Sequence, residues 1–311
     1  MYGAKLLNVS YQLLVIGYWL SVICYLLSGL LLKRLQIKNR LKSAKITKNS
    51  GGHCCCLFMK EICEFCGRFS GSPFFQPIVP PMARKNKLRK FAEIRSFSNV
   101  YECYDPTQPG LVGQDMQPVD LKGRWHEQHF QNDHPITLEL ACGAGEYTIG
   151  LARLFPERNF IGVDVKGNRL HSGAKEAVLA GIQNAAFLRT RIEVIDHFFA
   201  PGEVAEIWIT FCDPFPRAAK ENRRLTSAYF NEKYRQILQT NGLVHLKHDD
   251  DDLVQFTLET LEADPRCSLL YQNMDIYAGP LPMPELSIKT LYEGKHLEAG
   301  KTIKYLRYTI G

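Results

Sequence analysis

From residue 136 onward the apolar positions follow a repeating pattern. A short apolar run comes first, then a break at glycine or proline, then a stretch with 3.6-residue periodicity. The pattern predicts strands at 136–141, 159–165, 185–189, 207–211 and 243–247. Between and after them it predicts helices at 146–155, 168–180 (closed by Gly181), 192–199, 226–239 and about 250–263. After residue 267, two further strands flank a loop with Pro280, Pro282 and Pro284. Strands alternating with helices imply an α/β fold: a mainly parallel seven-stranded sheet with helices on both faces. The last strand pair has no helix between its members, which implies an antiparallel edge.

Upstream the pattern changes character. Residues 122–131 read as a short helix anchored by Trp125 and Phe130. Residues 104–119, with Pro106, Pro109, Gly110, Gly113 and Pro118, read as a linker, and 84–90 (RKNKLRK) as a basic arm. Residues 11–32 carry no charge and are long enough to span a bilayer. Lys33 to Lys48 add seven basic residues and no acid, which would put the following chain on the cytoplasmic side. Residues 49–81 show little periodicity. His53 and the Cys63–Cys66 pair make half a zinc ligand set without a second pair, so no metal is expected. The expected organisation is an appendage at 1–81, upstream of a start at Met82, then arm and linker at 82–135 and the main domain at 136–311.

Charge sharpens this division. The chain of 311 residues has net charge +6, but residues 1–81 hold 10 Lys/Arg against 2 Asp/Glu, leaving 28 against 30 for the rest. A nucleic-acid footprint on the main domain must therefore be a local patch. Cys103, Cys142, Cys212 and Cys267 are scattered, which suits reduced thiols in the cytoplasm rather than a disulfide framework.

Two stretches carry candidate chemistry. The run 207–225 reads IWITFCDPFPRAAKENRRL: a buried strand, then Asp213-Pro214-Phe215-Pro216, then Arg217, Lys220, Arg223 and Arg224. The prolines cannot continue a sheet ladder, so Asp213 is left at the strand's C-terminal edge. Open α/β sheets bind ligands at that edge. Residues 138–146 read LELACGAGE, where Gly143 and Gly145 let backbone approach a ligand and Asp164 ends the next strand, placed for ribose hydroxyls. Thr148 stands where the dinucleotide fingerprint needs its third glycine, which disfavours a nicotinamide cofactor.

The acid-x-x-x-Gly-x-Gly loop with Asp164 resembles that of class I S-adenosylmethionine-dependent methyltransferases. Residues 82–311 resemble the bacterial tRNA (guanine-N7)-methyltransferase family (TrmB) at four places. These are 138–146, with Ala141 at a usual glycine, and 211–216 followed by Arg223-Arg224-Leu225, with Phe215 at a usual tryptophan. The other two are 245–249, with His248 at a usual threonine, and Thr290-Leu291-Tyr292-Glu293 followed by Gly300. The resemblance implies a Rossmann-like fold. It implies that Glu139, Gly143, Gly145 and Asp164 hold S-adenosylmethionine, that Thr190, Arg191 and Ile192 lie against its adenine, and that Asp213 is the central carboxylate beside it. Lys247, Asp249, Thr290, Tyr292 and Glu293 would line a guanine pocket, and Arg217, Lys220, Arg223 and Arg224 would touch tRNA phosphates. The implied target is a variable-loop guanine, with no obligatory protein partner.

Guanine N7 has a lone pair and no proton to remove, so positioning should dominate over base catalysis. Carboxylates near the ring would accept its N1 and N2 hydrogens and stabilise the growing charge. Two other readings stay open. One is a class I RNA or amino methyltransferase, since its D/N-P-P-Y motif is placed like Asp213-Pro214-Phe215-Pro216. The other is a membrane-anchored, RNA-binding methyltransferase-like protein, motivated by residues 11–32.

Overall fold

The computed structural model of the chain describes residues 82–311, with side chains from Asn86 onward. The apolar segment 11–32, the basic run 33–48, the His53/Cys63/Cys66 group and the side chains of Arg84 and Lys85 lie outside the described residues. Among the described residues no helix is long and apolar enough to cross a membrane.

The strands are β1 (Val100–Glu102), β2 (Leu111–Val112), β3 (Pro118–Val119), β4 (Ile136–Leu140), β5 (Asn159–Asp164), β6 (Ala185–Arg189), β7 (Val204–Thr210), β8 (Leu238–His248), β9 (Cys267–Asn273) and β10 (Lys304–Ile310). The α-helices are α1 (Met82–Glu93), α2 (Glu146–Leu154), α3 (Gly167–Ala180), α4 (Ala228–Arg235), α5 (Asp251–Ala263) and α6 (Leu291–Glu298). They build one sheet in the order β3-β2-β1-β6-β5-β4-β7-β8-β10-β9. From β1 to β8 neighbours run parallel. At one end β10 and β9 add antiparallel strands, and at the other β2 and β3 do the same.

The β7 pattern explains why the sheet is buried on both faces. Ile207 and Ile209 join one apolar cluster with Leu138, Leu140 and Val163. Trp208 joins the other, with Tyr147, Phe160 and Phe187. Alternate side chains thus feed opposite layers. Trp125 is fully buried, stacks on Phe199 (5.4 Å, 14° between planes) and donates from Nε1 to Phe198 O (2.9 Å).

Four features differ from the sequence expectation. The sheet has ten strands, not seven, because the stretch expected as linker supplies β2 and β3, and β1 just before it pairs with β6. Strands of two or three residues leave no periodic signal. The helix expected over 226–239 is shorter, because Leu238 already pairs with Val204. The expected turn at Gly242 is a bulge within β8, where Asn241 takes φ 62 and the register shifts between Val204 and Glu206. Helix α6 was not expected; Thr290 caps it by accepting from Glu293 N (3.2 Å).

Candidate active site

Strand order reverses between β4 and β7, since β4 leads outward to β5 and β6 while β7 leads to β8. The loops after these two strands therefore open a crevice at the C-terminal edge. Loop 141–145 turns sharply, with Ala141, Gly143 and Gly145 all at positive φ (59°, 58°, 76°). A Cβ on Gly145 would lie 2.5 Å from the Phe187 ring. On Gly143 it would meet nothing within 4 Å, so this backbone faces open space.

Glu139 and Asp164 behave differently, although both were expected to hold a cofactor. Glu139 is buried and reaches the loop from behind. It accepts from Thr148 N (2.8 Å), Thr148 Oγ1 and Thr210 Oγ1 (2.8 Å), tying the first turn of α2 to the end of β7. Burial pushes its carboxyl up to about 7, against the pull of these hydrogen bonds. It fastens the loop rather than facing the crevice. Asp164 accepts from Gly143 N (3.0 Å) and Lys166 N (2.7 Å), and burial raises its pKa. Each of its oxygens keeps a lone pair for a further donor. Beyond it, a cavity runs along Arg189, Thr190 and Arg191 with Val165, Cys103, Tyr104 and Pro106 on its other walls. Thr190 is buried, Arg191 exposed and Ile192 half-buried. Tyr104 and Pro106 come from the supposed linker and were missed. Arg189 holds Tyr104 in place: its guanidinium lies between the Phe91 and Tyr104 rings (5.1 and 5.3 Å) and donates to Glu102 (2.7 Å).

Across the crevice, Asp213 is exposed. Its Oδ1 accepts from Phe215 N (3.1 Å), and its Oδ2 takes no hydrogen bond among the described residues. Phe211 and Phe215 on either side hold positive φ (46° and 43°), a strained arrangement for aromatic residues. Arg224 supports this loop. It is buried, donates to Pro214 O (3.1 Å) and Phe215 O (3.3 Å), and lies over the Phe256 ring (4.3 Å). Arg224 is thus spent internally and does not face tRNA as expected. Arg217, Lys220 and Arg223 are exposed, with Arg223 over the Phe215 ring at 5.0 Å.

The expected guanine-pocket residues divide likewise. Lys247 and Glu293 are fully buried and paired (2.8 Å), so neither lines an open surface. Burial lowers the Lys247 pKa, against the pull of Glu293. Thr290 is engaged as the α6 cap, and Tyr292 is 49 % exposed at the crevice end of that helix. Leu291 N donates to Glu146 (2.7 Å), which joins α6 to the start of α2. Asp249 is buried, hydrogen-bonded by Lys301 and approached by His296 Nδ1 (3.2 Å). Burial pushes its carboxyl up, but the Lys301 hydrogen bond and ammonium charge outweigh it and hold it low. His248 Nδ1 accepts from Asp250 N (2.9 Å), so the network assigns the proton to Nε2, which donates to Cys212 O (2.9 Å). Burial lowers its pKa and keeps it neutral. The histidine at this position ties the end of β8 to the Asp213 loop.

Among the described residues no cluster of His, Cys, Asp and Glu has metal-site geometry. The arrangement instead offers a glycine-lined cradle with a free-faced carboxylate, and a second carboxylate across it. Residues 133–306 match a family model described as "Putative methyltransferase". The chain is 47 % identical over 226 residues to a Bacteroides thetaiotaomicron tRNA (guanine-N(7)-)-methyltransferase, covering 73 % of this chain and 86 % of that one. It is 44 % identical over 230 residues to the Christiangramia forsetii protein of the same description, covering 74 % of this chain and all of that one. With the glycine loop, Asp164 and Asp213 gathered at one sheet edge, this chain belongs to the tRNA (guanine-N7)-methyltransferase family.

Proposed function

We infer that the chain transfers a methyl group from S-adenosylmethionine to N7 of a variable-loop guanine in tRNA, in the cytoplasm. The observation that carries this reading is the placement of the Gly143–Asp164 cradle and Asp213 on two sides of one crevice. The two relatives' descriptions support it, as do the four free thiols among the described cysteines.

The cradle fits the cofactor. Gly143 leaves room for a ligand against its backbone, Asp164 has acceptor capacity for ribose hydroxyls, and the Thr190–Arg191 cavity is the place for a purine ring. When bound, S-adenosylmethionine supplies a methyl on a sulfonium, ready for in-line displacement. Asp213 Oδ2 accepts a hydrogen from the guanine edge and offsets the positive charge that the ring gains. Asp249 Oδ1 adds a second acceptor. No residue is required as a base, because N7 carries no proton. Arg217, Lys220 and Arg223, with Lys87 and Arg89 of α1, are exposed cations suited to tRNA phosphates.

The test is methylation of unmodified tRNA by the full chain with labelled cofactor, followed by nucleoside mapping. N7-methylguanosine in the variable loop is expected. Removing the Asp213 charge as Asp213→Asn should cut turnover by roughly 10²-fold at unchanged cofactor affinity. A methyl group found on another base or on protein would replace this reading with that of another class I methyltransferase.

A further inference from the structure

We propose that His296, which lies outside the four motifs, is a positioning residue for the guanine pocket, fixing Asp249 relative to the Asp213 loop. This deepens the function above and rests on it.

The chain geometry begins at the end of α6. Gly300 takes φ 75°, Gly300 N donates to Leu297 O (2.9 Å) and Lys301 N donates to His296 O (3.0 Å). This paired closure is the glycine-dependent helix stop. It brings His296 and Lys301 to the same side, so that both reach one atom, Asp249 Oδ2. The other carboxylate oxygen accepts no hydrogen bond among the described residues. The neighbouring neutral His248, with Nδ1 at 3.6 Å, already accepts from Asp250 N there and has no hydrogen to offer. Asp249 is therefore fixed at Oδ2, and Oδ1 accepts no hydrogen bond among the described residues.

The same imidazole touches the second carboxylate's loop. Its ring lies 5.9 Å from the Phe211 ring at 11°, nearly parallel, and Phe211 stands two residues before Asp213 in a strained conformation. An apolar ring would serve the stack equally well. Only a side chain with a polar nitrogen also comes within 3.2 Å of Asp249 Oδ2. His296 thus links the two carboxylates expected to grip the N1 and N2 hydrogens of guanine.

The experiment uses the full chain and two variants. His296→Phe keeps the stack and removes the polar nitrogen, while His296→Gln keeps a polar group and removes the ring. Steady-state tRNA methylation, affinity for S-adenosylhomocysteine and thermal midpoint are measured for each. For loss of that polar contact beside a carboxylate, His296→Phe should lower kcat/KM for tRNA about tenfold, mostly in kcat, with cofactor-product affinity and midpoint unchanged. His296→Gln should recover most of that loss. Adding His296→Phe to Asp249→Asn should cost little beyond Asp249→Asn alone, because the histidine acts through that carboxylate. Wild-type turnover in His296→Phe would overturn the proposal, as would equal loss of turnover, product affinity and thermal midpoint. If the unaltered chain makes no N7-methylguanosine, the guanine reading itself falls and this proposal falls with it. An active parent with an indifferent His296→Phe removes the positioning role alone.

Discussion

Lys247 and Glu293 form an ion pair of 2.8 Å in which neither side chain reaches solvent. The ammonium spends its remaining hydrogens on Leu286 O and Ile288 O, both at 3.0 Å, and Tyr277 OH donates to the carboxylate at 2.7 Å. The pair fastens α6 and the segment before it onto β8. Removing one partner leaves an uncompensated charge in an apolar setting. Glu293→Ala should cost roughly 3–5 kcal/mol in denaturant unfolding. Burial already lowers the Lys247 pKa, so the lysine can shed its proton and bring the loss toward the lower end. An unchanged midpoint would show that the pair contributes nothing net.

Arg223 and Arg224 are adjacent and should separate cleanly. Arg223 is exposed, so Arg223→Ala should weaken tRNA binding and reduce the slope of log affinity against log salt by about 1. Arg224 holds the Pro214 and Phe215 carbonyls, so Arg224→Ala should lower the thermal midpoint and turnover with little change in that slope. Salt titrations of tRNA binding beside melting curves measure both.

The two loop glycines make a similar contrast. Gly145→Ala drives a methyl group into Phe187 and should destabilise the fold by about 1–3 kcal/mol, beyond the positive-φ cost alone. Gly143→Ala meets no protein atom, so its stability cost should stay at about 1 kcal/mol. Its methyl group points into the space assigned to the cofactor, so calorimetry should show the larger loss of S-adenosylhomocysteine affinity in Gly143→Ala.

The docking of α1 should be acid-sensitive. Glu93 accepts from Lys175 (2.7 Å) and His171 (2.9 Å) of α3, and these bonds lower its pKa from 4.5 to about 2. A folded-state value below the ordinary one favours the ionised form in the docked state. Its contribution is therefore present above pH 4.5 and lost as pH falls toward 2. Amide exchange of residues 82–93 should accelerate over that range before exchange in β4 to β8 does. Glu93→Gln should exchange fast in α1 at neutral pH already.

Much of this protein was legible from one-dimensional signals. Apolar runs of five or six residues marked β4, β5, β6 and the end of β7. Gly181 stopped α3, and two prolines after Asp213 put a carboxylate on the sheet edge. Each of these signals acts within a few residues, through backbone φ, a missing N–H or side-chain period, so order in the chain suffices to read it. The strands too short for a period, β1 to β3, were not legible, nor was Tyr104 as a cavity wall.

The division of labour among like residues was decided only in three dimensions. The spacing made Glu139 and Asp164 equivalent acids and Arg223 and Arg224 equivalent cations, and it gave no weight to His296. Lys247 meets its partners 39 to 46 residues downstream, and Glu139 meets Thr210 at a separation of 71. Whether a charge faces a ligand or is used up inside depends on which donors and acceptors the fold brings within about 3 Å, and those come from segments with no local relation in the chain. Signals local in the chain set the class of sheet, the loop that can cradle a cofactor and the edge where chemistry happens. Tertiary structure decided which side chains remain free to perform it.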